Sequence, residues 1–245
     1  MDRRRALIAS REEVRRLAGQ RLSEVTPSRR DFAQYVSTGR DGIAIIARLA
    51  PTESPPGHRW GTAELVAHAC ACDAAEVAAL AVATGPGELS SADLAAVAAA
   101  TTAPILRDDL LIDPRQLYDA RLHGADAVVL PAGDLDREAL RELVAIASSL
   151  HMAAVVEVLS DAEVDAALKL PHVIFGLRAL DSDHALDVGR TIELARRVPR
   201  QHTAVCLPEV AAAAALHGHC DAILAGRALT ATDSLSSTVE RLRSG

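Results

Sequence analysis

The chain has 245 residues, close to the length of one α/β barrel, and nearly half of them are apolar, so a large core is available. Aromatic residues make up only 2%, which leaves alanine, valine and leucine to build that core. A net charge of −7 argues against nucleic acid or an anionic membrane as a partner, and no apolar run approaches the roughly 20 residues that span a bilayer. The basic start, Met1-Asp-Arg-Arg-Arg, has no sustained apolar segment behind it, so a signal peptide is not expected. Four cysteines without disulfide-like spacing point to a reducing cytosol. Lys169 is the only lysine, which excludes a mechanism that needs an ammonium anywhere else.

In chain order, residues 1–40 read as a polar helical extension. One helix covers Ala6 to Leu22 and a shorter one follows Asp31. Gly42 to Ala50 is the first buried strand, and Pro51 to Gly61 is a Pro- and Gly-rich loop long enough to act as a lid. A helix over Thr62–Ala75 leads to the strand Leu80–Thr84, and a serine-capped helix over Ser91–Ala100 leads to the strand Pro104–Arg107. Asp113-Pro114 then opens a helix that Gly124 stops: aspartate is a natural N-cap, proline fits the first helical position, and glycine accepts the left-handed C-terminal residue. The strand Ala127–Leu130 completes a unit too short for anything but a right-handed parallel crossover.

The same alternation continues. Helix Arg137–Leu150 precedes strand Ala153–Val158, helix Asp161–Lys169 precedes strand His172–Gly176, and helix Asp187–Val198 precedes strand Thr203–Leu207. A helix over Glu209–His217, the strand Ala222–Ala225 and a helix over Asp233–Leu242 close the chain. Eight buried strands, each followed by a helix, predict a closed (β/α)8 TIM barrel over residues 41–245 behind the extension. The rival is an open doubly wound sheet. It would want a glycine-rich turn after the first strand, and Arg48-Leu-Ala-Pro is not one.

Several segments then stand out together: Asp31-Phe, Ile43–Leu49 closed by Ala-Pro-Thr, Pro104-Ile-Leu-Arg-Asp-Asp-Leu-Leu-Ile-Asp-Pro, Gly124-Ala-Asp-Ala-Val-Val-Leu, Val155-Val-Glu-Val, Phe175-Gly-Leu-Arg and Asp221-Ala-Ile-Leu-Ala-Gly-Arg-Ala-Leu. In this order, over roughly residues 6–243, they resemble the indole-3-glycerol phosphate synthase family. The resemblance implies the barrel fold and a working face at the C-terminal ends of the strands.

The residues at that face differ from the family's. Its first strand carries Glu-x-Lys-Arg-x-Ser-Pro-Ser, where this chain has Ile45, Ala47, Arg48 and Ala50. The general-acid lysine of the third strand is matched by Asp108, while the glutamate of the fifth strand is kept as Glu157. Gly-Ile-Asn of the sixth strand becomes Gly176-Leu-Arg178, Glu-Ser-Gly of the seventh becomes Leu207-Pro-Glu209, and Gly-Ser of the eighth becomes Gly226-Arg227. Closing an indole ring from a carboxyphenylamino sugar phosphate needs an ammonium to protonate the departing hydroxyl, and Ala47 and Asp108 provide none. Pro208 removes an N–H from the expected phosphate cradle, and Glu209 adds a negative charge there that Arg227 offsets only in part. Synthase activity is therefore not expected.

The polar set expected at the mouth is Thr84, Asp108, Glu157, Arg178 and Asp181, with Cys206 and Arg227. Glu157 is the leading acid–base candidate, with Asp108 and Arg178 assisting. Two carboxyls in one mouth would repel unless Arg178 pairs with them, and an Asp108–Arg178 salt bridge that only neutralises a vacated cavity is the competing reading. Arg48, Trp60 and Leu207 join Thr84, Asp181 and Arg227 as candidate substrate contacts, and a pocket around Glu157 would draw on Leu49, Val82, Phe175 and Leu207. His58-Arg-Trp60 lies in the lid loop, where Trp60 either closes over a ligand or packs on the rim. No metal is expected. Cys70 and Cys72 diverge by about 200° on a helix, and His217-Gly-His219-Cys220 precedes the eighth strand at the stability end of the barrel. No cofactor is implied.

Three functions are consistent with these residues. One is a repurposed enzyme performing acid–base cyclisation, dehydration or isomerisation on an unphosphorylated small molecule in specialised metabolism. The second is a catalytically inactive barrel kept for binding or for assembly with a second copy or another biosynthetic enzyme. The third is a synthase with unusual residues.

Overall fold

The computed structural model describes residues 3–18, 25–51, 59–85, 87–182, 185–210 and 213–244. Eight parallel strands close on themselves in sequence order: β1 (Ala44–Leu49), β2 (Ala79–Ala83), β3 (Ile105–Asp108), β4 (Ala127–Pro131), β5 (Ala153–Val158), β6 (Val173–Leu177), β7 (Ala204–Glu209) and β8 (Ala222–Ala225). Pairing of Ala44 to Ala47 with Ala222 to Ala225 shuts the ring, so the expected TIM barrel is the observed one.

Side chains alternate across each strand, and the two faces form two separate apolar layers. Ile46, Leu106, Val129, Val155, Val205 and Leu224 fill the barrel interior, and alanines at 79, 81, 127 and 222 keep that space narrow. Ile45, Leu49, Val82, Phe175 and Cys206 point the other way, into the layer between strands and helices. Gly176 belongs to the interior. A Cβ there would lie 2.6 Å from Leu207 Cδ1 and 2.9 Å from Val155 Cγ1, so the space is already used.

The helices are α1 (Arg3–Leu17), α2 (Phe32–Val36), α3 (Thr62–Ala74), α4 (Ser91–Ala100), α5 (Pro114–Leu122), α6 (Arg137–Ser149), α7 (Asp161–Ala167), α8 (Val188–Arg197), α9 (Arg227–Thr230) and α10 (Leu235–Ser244). Their ends follow local chemistry. Asp113 accepts from the Arg115 N–H at the start of α5, and Gly124 stands at φ +97° after its end. Of the helix expected over Ala6–Leu22, 6–17 is observed within α1, which begins three residues earlier at Arg3; 19–22 lies outside the described residues.

The helix expected over Glu209–His217 is not seen among the described residues of that span. Glu209 is still in β7, opposite Leu224, after a register shift that begins at Cys206, and among the described residues a 3-10 turn at Ala214–Leu216 follows. The alanine run is a strong helix former. Strand pairing takes Glu209, the first residue of the expected helix, however, and Gly218, at φ +76°, reverses the chain soon after.

The two N-terminal helices serve opposite ends. Phe32 and Val36 of α2 join the interior cluster and plug the N-terminal end. Helix α1 docks on α5 through a buried polar network. Ser10 Oγ donates to the Leu110 carbonyl at 2.8 Å, and Gln116 Nε2 donates to Glu13 at 2.6 Å. At its centre is Arg107, only 1% exposed, which donates to Glu13 at 2.6 Å, Asp119 at 3.0 Å and Thr84 at 3.0 Å.

Candidate active site

Arg48, Asp108 and Glu157 come from β1, β3 and β5 in the inward phase set by Ile46, Leu106 and Val155, and therefore meet at the C-terminal mouth. Arg178 follows β6 directly and lies between the two carboxylates. Its Nη2 is 3.8 Å from Asp108 Oδ1, and its Nε donates to Glu157 Oε1. Arg48 Nε donates to the other Asp108 oxygen at 2.9 Å. The sequence thus brought together its three catalytic candidates and one of its substrate contacts.

A fifth and a sixth group complete the set. Arg3, the first residue of α1, reaches across the chain to the mouth, and its Nη1 donates to Glu157 Oε2 at 2.6 Å. Its Nε donates to Asp134, just beyond β4, at 2.9 Å, and its Nη2 bonds the same oxygen. The charges alternate along one chain: Arg48, Asp108, Arg178, Glu157, Arg3, Asp134. Glu157 has no exposed surface, and an arginine holds each of its oxygens. Along this chain, among the described residues, three guanidinium groups alternate with three carboxylates, so the fully buried Glu157 is charge-paired on both sides.

Glu88, in the loop after β2, is a further carboxyl within electrostatic reach. Burial pushes it above the ordinary carboxylate range; the charge of Arg48 pulls it down and that of Asp108 pushes it up. Its Oε2 is buried with no hydrogen-bond partner among the described residues.

Glu209 defines the other side of the mouth. Its Oε1 accepts the Arg227 N–H at 2.5 Å, so a carboxylate of the chain itself sits on the first N–H of α9. This is the strand-eight turn where the resemblance implies a phosphate.

Other expected residues are placed elsewhere. Thr84 faces outward: its Oγ1 accepts from Arg107 Nε and donates to Asp109 at 3.3 Å, inside the α1 docking network and away from Glu157. Leu49, Val82 and Phe175 lie in the outer layer; of that expected lining only Leu207 is interior. Cys206 is buried in the same outer layer, its thiol pushed well up by burial. Asp181 is exposed and closes a local turn by accepting the Ala185 N–H at 3.0 Å. The Arg227 side chain is exposed while its backbone serves Glu209. Trp60 packs on the outer layer with its ring 5.0 Å from that of His68, and His58 lies outside the described residues.

No group of three metal-ligating side chains occurs among the described residues. Cys72 lies 3.5 Å from His68, and burial raises its thiol to about 12, the behaviour of a packing cysteine. A cavity of about 400 Å³ lies at the opposite pole, beneath β5 and β6, bordered by Arg29, Phe32, His151 and His172.

Arg3, Asp134 and Glu88 were missed in the sequence. Asp134 and Glu88 follow strands β4 and β2, so a survey of every polar residue after a strand would have included them. Nothing local marks Arg3 among its neighbouring arginines.

A closed eight-stranded barrel with charged strand ends converging on one mouth defines the class in which that mouth is the working face. The family model for indole-3-glycerol phosphate synthase matches residues 1–242, and the chain belongs to that family. It is 32% identical over 229 residues to the indole-3-glycerol phosphate synthase of Saccharopolyspora erythraea, covering 91% of this chain and 84% of that one. It is also 32% identical over 250 residues to that of Mycolicibacterium smegmatis, covering 98% and 91%. Among solved structures, orotidine 5'-phosphate decarboxylase from Pyrococcus horikoshii superposes with a TM-score of 0.58 at 16% identity, over 81% of this chain and 96% of that one, a likeness of fold alone.

Proposed function

We propose that this member of the family does not close the indole ring, and that its mouth carries out acid–base chemistry on an unphosphorylated small molecule. In this reading Glu157 is the acid–base group, and Asp108 and Arg178 assist. The observation that carries the loss of phosphate is the Glu209 carboxylate on the Arg227 N–H, because a dianion brought there would meet a fixed negative charge. The absence of an ammonium at positions 47 and 108 supports the loss of the ring-closing step. Glu157 and Asp108 form a carboxyl pair at one mouth with Arg178 between them. We place the protein in the reducing cytosol on the strength of its four free cysteines.

A second reading is a barrel kept for binding or assembly. The two arginines on Glu157 favour it, since each of the carboxylate's oxygens is already occupied by the chain itself. The names of the relatives favour a third, synthesis of indole-3-glycerol phosphate.

The deciding experiment incubates the purified chain with the carboxyphenylamino sugar phosphate and follows indole fluorescence, alongside complementation of a tryptophan auxotroph. No product and no growth are expected. Turnover abolished by Glu157→Gln would restore the synthase reading and overturn this one.

A further inference from the structure

Histidines collect at the end of the barrel away from the mouth. Each strand from β4 to β8 is preceded within four residues by one: His123, His151, His172, His202 and His219. Of these, two stand in left-handed backbone, His151 at φ +54° and His172 at φ +51°. The same two border the cavity of about 400 Å³ beneath β5 and β6. Left-handed backbone suits glycine and strains a residue that carries a Cβ. Neither imidazole offsets that strain by packing. Both histidines are exposed, and neither side chain has a hydrogen bond or ion pair among the described residues. Strain held twice at one concavity, with no structural return, points to a ligand.

Arg29 lines the same cavity and supplies its charge. It is exposed and bonds no group among the described residues. The neighbouring Arg30 is spent, on the buried Asp126 at 2.7 Å and the Gly124 carbonyl at 2.9 Å. The one carboxylate on the described lining, Asp31, caps α2 by accepting the Gln34 N–H at 3.1 Å. The C-terminal end of α6 also reaches this cavity, at Ser148, and free carbonyls there would favour a cation. Three of them are already taken: Ala147 accepts the Met152 N–H at 2.9 Å, Ser148 that of His151 at 3.0 Å, and Leu150 that of Ser28 at 2.9 Å. What is left is a planar guanidinium fork and two imidazoles, each with an N–H to give in either protonation state. Phe32, Val144, Met152 and Ile174 add apolar lining. Together these are the complement of an oxyanion on a compact apolar body.

We propose that this cavity, at the opposite pole from the mouth, is a binding site for a small organic oxyanion, a carboxylate or a phosphate ester. Arg29 pairs with the oxyanion, and His151 and His172 donate to it. The site stands whatever reaction the mouth performs.

The test is calorimetric titration of the full chain with benzoate and with phenyl phosphate, and with benzylamine as the cationic control. Both oxyanions are expected to bind, the tighter one identifying the headgroup the site takes, and benzylamine is not. Arg29→Ala should weaken oxyanion binding at least about ten-fold, the loss of one charge-assisted pair. His151→Gly and His172→Gly should each weaken it about five-fold, the loss of one hydrogen bond. The glycine variants also separate a ligand role from a structural one. Glycine relieves the left-handed backbone, so their thermal midpoints should equal or exceed the parent's while their affinity falls. Binding of neither oxyanion, or an affinity that Arg29→Ala leaves unchanged, would overturn the proposal. So would benzylamine binding more tightly than both oxyanions, or glycine variants that melt below the parent and bind as it does.

Discussion

Asp109 lies beside Arg107 in the network that docks α1, and it offers a clean test of how that network is balanced. Burial raises its carboxyl from an ordinary 3.8 to about 6; Arg107 opposes the rise and Glu13 adds to it. The folded protein therefore keeps this proton at a pH where the unfolded chain has released it. The resulting stabilisation is fully present below about pH 3.8 and is lost as the pH rises through about 6. That gap corresponds to about 3 kcal/mol. Asparagine has the shape of the protonated acid and keeps an oxygen to accept the Leu110 N–H at 2.8 Å. Asp109→Asn should match the parent near pH 4 and be more stable by up to about 3 kcal/mol at pH 7.5, about 6–12 °C in midpoint for a chain of this size. Urea titrations followed by circular dichroism from pH 4 to 7.5 measure the difference between the two proteins, in which titrating groups not coupled to Asp109 cancel. A difference that does not change with pH, or a variant less stable than the parent at pH 7.5, would refute the argument.

Three further predictions concern the scaffold. Arg107→Met leaves the buried Asp109 and Asp119 and the half-buried Glu13 without their shared cation and should cost about 3–5 kcal/mol in a urea melt. Gly124→Ala forces a left-handed φ on alanine and puts its Cβ 2.5 Å from the Ala98 Cβ, so a loss of about 1–3 kcal/mol is expected, against no measurable change for Gly189→Ala, whose Cβ meets nothing closer than 3.5 Å. Ser90→Ala removes the oxygen that accepts the Asp93 N–H at the start of α4, worth about 1 kcal/mol and about 2–4 °C in a thermal scan.

The fold was legible because its signals are local and repeated. Period-two apolar strands alternate with helices whose ends carry their own chemistry, as at Asp113, Pro114 and Gly124. Four of the six residues of the ion-paired chain were legible for the same reason: Arg48, Asp108 and Glu157 occupy strand ends in one inward phase, and Arg178 follows the next strand. Thr84 failed by a single residue, because one step along a strand exchanges the barrel interior for the helix layer. The helix expected after β7 failed because propensity lost to strand pairing at Glu209. Arg3 was beyond local reading. Several arginines lie at similar positions on α1, and only the docking of Ser10 and Glu13 against β3 and α5 decides which one enters the mouth.

That dependence on docking bears on whether the family's chemistry can be put back one residue at a time. Asp108→Lys would place the family's ammonium at the end of β3. There it would stand beside Arg48, whose Nε is 2.9 Å from Asp108 Oδ2, and near Arg178, whose Nη2 is 3.8 Å from Oδ1. Like charges at such separations repel by about 4 kcal/mol where water is partly excluded, and both arginines lose their contact with Asp108, while Arg178 keeps Glu157. The expected outcome is a variant destabilised by about 3–5 kcal/mol in urea that produces no indole fluorescence from the sugar phosphate. Asp108→Asn, which removes the charge without reversing it, should lose clearly less. The substitution leaves the other side of the mouth unchanged, since Glu209 would still occupy the Arg227 N–H. A lysine variant that kept parental stability and closed the ring would show that the mouth is not one electrically balanced unit. The residues inherited from the family would then be separable from those that replaced its lysines and serines.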